Sequence, residues 1–297
     1  MKIDRLEIVE WGDLPMIEIS GLGQTRSPYG DELLLAVADD SFTIVAVDID
    51  ELTDDQVEEY AITEYDVEEV IGEGQPPYGS QWEAADGEAA GRIFILQESP
   101  GKVFVLTPDF EDLLHSIELT LDSPAGRDLE WDHDPNAQGE GLVLLANGHL
   151  LVAKEKDPCL LMEFGPRGAK PLGVSPDLTF RTEAEWPLPE CDSSTQELLK
   201  VWSYTEEAAA YLKDVSDLTP GPDGRLYVLS DESRAIIRLQ ERLEPGDEVC
   251  GADAVWELPE EIEQPEGLVI SDDMIPIVAV DKGQPEDNIF ILEPLQD

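Results

Sequence analysis

Five six-residue strings in this 297-residue chain each close on a carboxylate. They are LLAVAD ending at Asp39, IFILQE at Glu98, LLVAKE at Glu155, LYVLSD at Asp231 and PIVAVD at Asp281. In three copies a second acid, Glu83, Glu140 or Glu266, stands 15 residues upstream. Ser216 holds that place in the fourth copy and Ser20, 19 residues upstream, in the first. A set built from oxygen alone, with no Cys or His at these positions, suits a hard divalent cation that takes about 6 to 8 oxygen ligands. Ca²⁺ is therefore the expected cofactor, with Glu83, Glu98, Glu140, Glu155, Asp231, Glu266 and Asp281 as candidate ligands. Lys102, Lys154, Lys156 and Lys282, half of the eight lysines, follow or flank these acids. Lys154, Lys156 and Lys282, with Arg234, are candidates to hold an anionic ligand; the competing role is a salt-bridge belt that neutralises the acids.

Composition alone is the rival account, because Asp and Glu are 68 of the 297 residues. At that frequency five acids in register arise roughly once in a thousand trials, before allowing for the choice of register.

What brings such distant residues together is a repeat. After each acid a second apolar run starts five residues on, at Ile44, Val103, Leu160 and Ile236, and three residues later than that at Ile289. Each copy thus reads as strand, short loop, strand. The constant upstream spacing adds an earlier strand through a hairpin, with midpoints at Ala90-Gly91, Asn147-Gly148, Asp223-Gly224 and Asp273-Met274. Asn-Gly and Asp-Gly favour two-residue turns with positive φ at both positions, which sets Glu83 across from Glu98, Glu140 across from Glu155 and Glu266 across from Asp281. Like charges so paired would stand roughly 5 Å apart and need protons, lysines or a cation to offset them.

A fourth, outer strand fits Val57–Tyr65, Ser116–Leu121 and Ala254–Leu258, while Leu6–Trp11 can serve the last copy and close a ring. The fold class predicted is all-β, with residues 1–297 forming a single β-propeller domain. Five four-stranded blades fit the 50–76-residue spacing of repeat starts better than six. Residues 194–212 read as an inserted helix, with Ser194 and Glu197 spaced as a capping box and Leu198, Trp202 and Leu212 on its apolar face. The third copy's outer strand has no clear sequence candidate.

The charge excludes other classes. With 18 Lys+Arg against 68 acids the formal charge is −50, so nucleic acid and anionic membranes are not expected partners. A 41% hydrophobic content still supplies a large core, so the acids read as a hydrated shell of the kind that keeps proteins soluble in strong salt. The first residues carry no apolar stretch of signal-peptide length, and a cytoplasmic monomer is expected, or an exported protein if this is a mature chain. Cys159, Cys191 and Cys250 lack CxxC spacing and read as buried free thiols.

The strings GEGLVLLANGHLLVAKEKDPCLLMEF (139–164), DVSDLTPGPDGRLYVLSDESRAIIRL (214–239) and QPEGLVISDD (264–273) resemble the SdiA-regulated domain family, which adjoins the esterase-like phytases. The resemblance implies a β-propeller with a central channel and a calcium site. Carried onto this chain it points to Glu140, Glu155, Asp231, Glu232 and Glu266, and it names no catalytic residue. Two local features depart from the pattern: Pro276 opens an internal strand, and the first copy has four extra residues around Pro28-Tyr29.

No GxSxG, P-loop, HExxH, EF-hand or GxGxxG motif is present. His115, His133 and His149 join no visible triad. The sequence therefore favours a cation-binding scaffold or sensor that takes a small molecule or protein at the channel mouth. The alternative is a Ca²⁺-dependent hydrolase of phosphoesters or lactones.

Overall fold

The computed structural model describes residues 1–27, 29–53, 60–72, 79–98, 101–126, 129, 138–176 and 185–296. Apolar alternation and β-branched runs produce strands almost throughout. The chain opens with β1 (Lys2–Arg5) and β2 (Ile8–Gly12), then β3 (Ile19–Arg26), β4 (Glu32–Ala38), β5 (Thr43–Asp48) and β6 (Ile62–Asp66). Next come β7 (Trp82–Gly87), β8 (Ile93–Gln97), β9 (Lys102–Leu106) and β10 (Leu113–Thr120), followed by β11 (Gly139–Leu144), β12 (Leu150–Lys154), β13 (Leu160–Pro166) and β14 (Ser193–Tyr204). The last third holds β15 (Asp217–Pro220), β16 (Leu226–Ser230), β17 (Ala235–Leu239), β18 (Val249–Cys250), β19 (Ala252–Glu257), β20 (Pro265–Ile270), β21 (Pro276–Val280) and β22 (Ile289–Leu292).

The strands pair as β3-β4-β5-β6, as β2-β22-β21-β20, and as β1-β19-β17-β16-β15. The meanders β7 to β10 and β11 to β14 share one larger sheet because β10 and β14 pair in parallel. The earliest strand of each meander lies innermost. Along that inner ring β3 packs on β7, β7 on β11, β11 on β15, β15 on β20, and β20 returns to β3. The architecture is all-β and propeller-like. The apolar core lies between successive meanders: Leu22 and Leu34 pack with Val269 and Ile277, and Ala84 and Phe94 with Leu142 and Leu150. The N-terminal segment serves two sheets, β1 beside β19 and β2 antiparallel to β22, so the last meander takes its outer strand from the start of the chain as expected.

The hairpins depart from the two-residue turn. In each, one residue at positive φ (Gly30, Gly91, Gly148, Gly224 or Met274) donates its N–H to the carbonyl three residues back. Asn147 and Asp223 keep negative φ, so each loop is one residue longer than an Asn-Gly turn requires. Substituting Gly148 with Ala is expected to lower stability by about 1–2 kcal/mol, read from urea unfolding. Its φ is +84° and an added Cβ would lie 2.8 Å from Pro187 Cγ.

The extra turn residue is absorbed at the far end of the hairpin. Register shifts fall between Trp82 and Ala84, Gly139 and Gly141, Pro265 and Gly267, and Ile19 and Gly21. Glu83, Glu140, Glu266 and Ser20 are thus bulge residues, and the expected direct pairing of Glu83, Glu140 and Glu266 with Glu98, Glu155 and Asp281 is corrected.

The helix expected at 194–212 is also corrected. Ser193–Tyr204 is the outer strand β14 that the third copy lacked, and only Glu206–Ala209 is helical, capped by Thr205. The four-residue step from Leu198 to Trp202 fits an alternating strand as well as a helix turn. Pro276 is the first residue of β21, where a missing N–H is tolerated. Outer strands β6 and β10 start later and earlier than expected, at Ile62 and Leu113, while residues 57–59 lie outside the described residues. Of the three free thiols only Cys250 is buried; Cys159 is half-buried and Cys191 exposed.

Candidate metal centre

At the bulge end of the inner ring a cavity of about 300 Å³ is lined by Glu18, Asp39, Glu83, Glu98, Glu140, Glu155, Glu266 and Asp281, together with Ile19, Ser20 and Gln81. The acids come from two strand positions repeated around the ring. Each bulge turns Glu83, Glu140 or Glu266 out of its hairpin and into the mouth, and the end of the neighbouring strand delivers Glu98, Glu155 or Asp281. Backbone bonds hold that neighbour: the amides of Glu98, Glu155 and Asp281 donate to the carbonyls of Gln81, Gln138 and Gln264 at 2.9–3.0 Å.

Crowding moves the acids away from ordinary carboxylate behaviour. Burial, then the Glu98 charge, holds Glu83 well above the usual range, and burial with the Glu83 charge does the same to Glu140. Glu266 is pushed up to about 8 by burial and by Asp231, against a lowering hydrogen bond with Ser216. Burial, then Asp40, raises both Asp39 and Asp281, and Asp40 is the main cause at Glu18. Asp39 Oδ1 is buried with no hydrogen-bond partner among the described residues.

Six of the seven expected metal ligands meet here. Asp231 stands outside the lining, close enough for its charge to raise Glu266. Its amide donates to Ser216 Oγ at 3.3 Å. Glu232 is exposed and outside the lining, and its amide donates to the Asp214 carboxylate.

The expected anion-holding cations do not converge. Lys156 pairs with Glu155 at 2.5 Å, and buried Lys154 donates to the Lys156 carbonyl. Arg234 donates to the Glu260 carbonyl at 3.4 Å, and Lys282 lies over the Phe290 ring at 5.5 Å. Lys102 lies over Phe104.

His149 and His115 are structural. Buried His149 bonds Glu163, a fully buried carboxylate that also accepts from Leu172 and Gly173 N–H. His115, inside β10, bonds the Cys191 carbonyl and Ser194 Oγ. His133 lies outside the described residues.

Sequence reasoning missed Glu18, Asp40 and Gln81. The carboxylates of Glu18, Asp39 and Asp40 fall within 4.8 Å of one another. A signal was present: Gln81-Trp82-Glu83, Gln138-Gly139-Glu140 and Gln264-Pro265-Glu266 repeat one Gln-x-Glu pattern, with Glu18-Ile19-Ser20 in the same place. Glu18, Gln81 and Gln264 all adopt positive φ of 52–57°, so this entry to the inner strand is a repeated backbone device.

A family model for SdiA-regulated proteins matches residues 91–279. The chain belongs to the SdiA-regulated family. The match includes Glu98, Glu140, Glu155, Asp231 and Glu266 and begins after Glu83. No curated protein matches the sequence. Similar solved structures include the PQQ-bound aldose sugar dehydrogenase of Streptomyces coelicolor, at 13% identity, TM-score 0.46 and 97% coverage of both chains. A catalytically inactive virginiamycin B lyase from Staphylococcus aureus with quinupristin has 13% identity and TM-score 0.45, covering 98% of this chain and 99% of that one. The calcium-binding protein regucalcin of Agrobacterium tumefaciens has 12% identity and TM-score 0.49, covering 99% and 96%.

Proposed function

We propose that this chain is a single five-bladed β-propeller whose acidic mouth binds a hard divalent cation, Ca²⁺ first, and that it works as a ligand-binding scaffold or sensor in the cytoplasm. The observation that carries the reading is eight carboxylates on one cavity whose lining, among the described residues, holds no lysine or arginine, with Lys156 pairing Glu155 from outside it. Such a set is relieved by protons or by a cation, and its donors are all oxygen. The orphaned Asp39 Oδ1 and the repeated positive-φ residues at the same mouth support a ligand over a solvated rim. Lys156 is engaged by Glu155, and Arg234 and Lys282 by the Glu260 and Asp287 carbonyls, which favours the scaffold over the hydrolase. The charge of −50 further supports a shell adapted to strong salt.

Calorimetric titration of the metal-stripped full chain with CaCl₂ tests the site. Saturable binding is expected, weakened at least tenfold in Glu140→Gln and in Glu266→Gln. A flat titration, or binding unchanged in both variants, would rule the site out.

A further inference from the structure

The turn end of the inner ring carries a second cavity, of about 370 Å³, built from the far ends of β3, β7 and β15. Its chemistry differs from that of the acidic mouth. Leu142 and Leu218, each 2% exposed, give it an apolar wall. Asp86 contributes a carboxylate fixed by two backbone donors, Gly87 N at 2.8 Å and Leu144 N at 3.1 Å. Arg26 contributes a guanidinium 3.5 Å from Glu32.

The deciding group is Thr25, which lines this cavity at 6% exposure with its Oγ1 buried and without a hydrogen-bond partner among the described residues. A hydroxyl left unmatched in a buried position is destabilising by about 1–3 kcal/mol unless something satisfies it. Gly87 makes room for it, since a Cβ there would lie 2.4 Å from Thr25 Oγ1. The cavity is thus a small-molecule-sized space that joins an unmatched hydroxyl, an oriented carboxylate, a guanidinium and an apolar wall.

We infer that this turn-end mouth is a second binding site, for a neutral, hydroxyl-bearing small molecule of monosaccharide size. The oriented carboxylate accepts from ligand hydroxyls, the guanidinium donates to them, and the threonine hydroxyl can do either. A free anion would meet Glu32, Asp86 and Asp272 in the lining as well as the chain's overall negative field. The groups belong to residues separate from the acidic mouth, so the inference stands independently of cation binding there.

The test uses the full chain in CaCl₂ buffer, with D-glucose and sorbitol as probes and saturation-transfer NMR as the readout, because bulk polyols raise melting temperatures without a site. Saturable binding of at least one probe is expected, weakened tenfold or more in Thr25→Val and retained in Thr25→Ser. Thr25→Val exchanges the unmatched hydroxyl for a methyl of similar shape, and a urea melt of the free variant at or above the parent's midpoint shows that the fold is kept. No saturable signal from either probe, equal binding by Thr25→Val, or displacement of the probe by millimolar sulfate or by further Ca²⁺ would overturn the inference.

Discussion

In chelator, the melting temperature of this protein is expected to fall as the pH rises from about 5 to about 8, and millimolar CaCl₂ is expected to remove most of that slope. Glu83, Glu140 and Glu266 have raised pKa values in the folded chain, so over this range the native state holds more protons than the unfolded one. Stability then decreases with pH, with the contribution complete below the unfolded value near 4.5 and lost through the folded value, about 8 for Glu266. Moving one group over that interval is worth up to about 5 kcal/mol. A bound cation takes over the role of the protons and makes the ionised form the stable one. Melts from pH 5 to 8, with and without CaCl₂, check this directly. A slope of the opposite sign, or one indifferent to calcium, would remove the electrostatic basis of the site.

Replacing Asp217 with Ala is expected to destabilise the fold by about 3 kcal/mol or more, measured from the urea midpoint. Asp217 is 1% exposed and joins inner strands that share no backbone ladder. Its Oδ1 accepts from Leu218 N and its Oδ2 from Leu268 N, both at 2.7 Å, and Leu22 N adds a further backbone bond. Deleting the carboxylate leaves those N–H groups buried and unmatched. Asp217→Asn should lose less, because one oxygen still accepts. A loss under 1 kcal/mol for Asp217→Ala would mean that the inner ring is held by packing alone.

The repeated apolar strings made the strand meanders legible, because a two-residue period and a constant spacing are properties of the chain itself. The N-terminal partner of β22 was legible too, since the last copy had no outer strand of its own. Glu83, Glu98, Glu140, Glu155, Glu266 and Asp281 could be placed at one mouth because hairpin ends share a location whatever the turn type. Their exact opposition could not. Asn147-Gly148 reads as a two-residue turn, while Gly148 alone takes positive φ, and the compensating bulge at Glu140 is marked only by the repeated Gln-x-Glu pattern, which by itself does not specify a register shift. Ser194 to Leu212 misled because tertiary pairing with β13 overrides a helical spacing. Lysine proximity in sequence misled in the same way: Lys282 follows Asp281, yet its ammonium reaches away to the Asp287 carbonyl.

The sharing of the first dozen residues between β19 and β22 bears on how the chain acquires its shape during synthesis. Residues 8–12 leave the ribosome well before their partners at 289–292 exist, so the seam they seal joins segments far apart in the sequence. Until it closes, the edge of β22's sheet is open to other chains, and the many like charges on the surface would keep nascent copies apart while it waits.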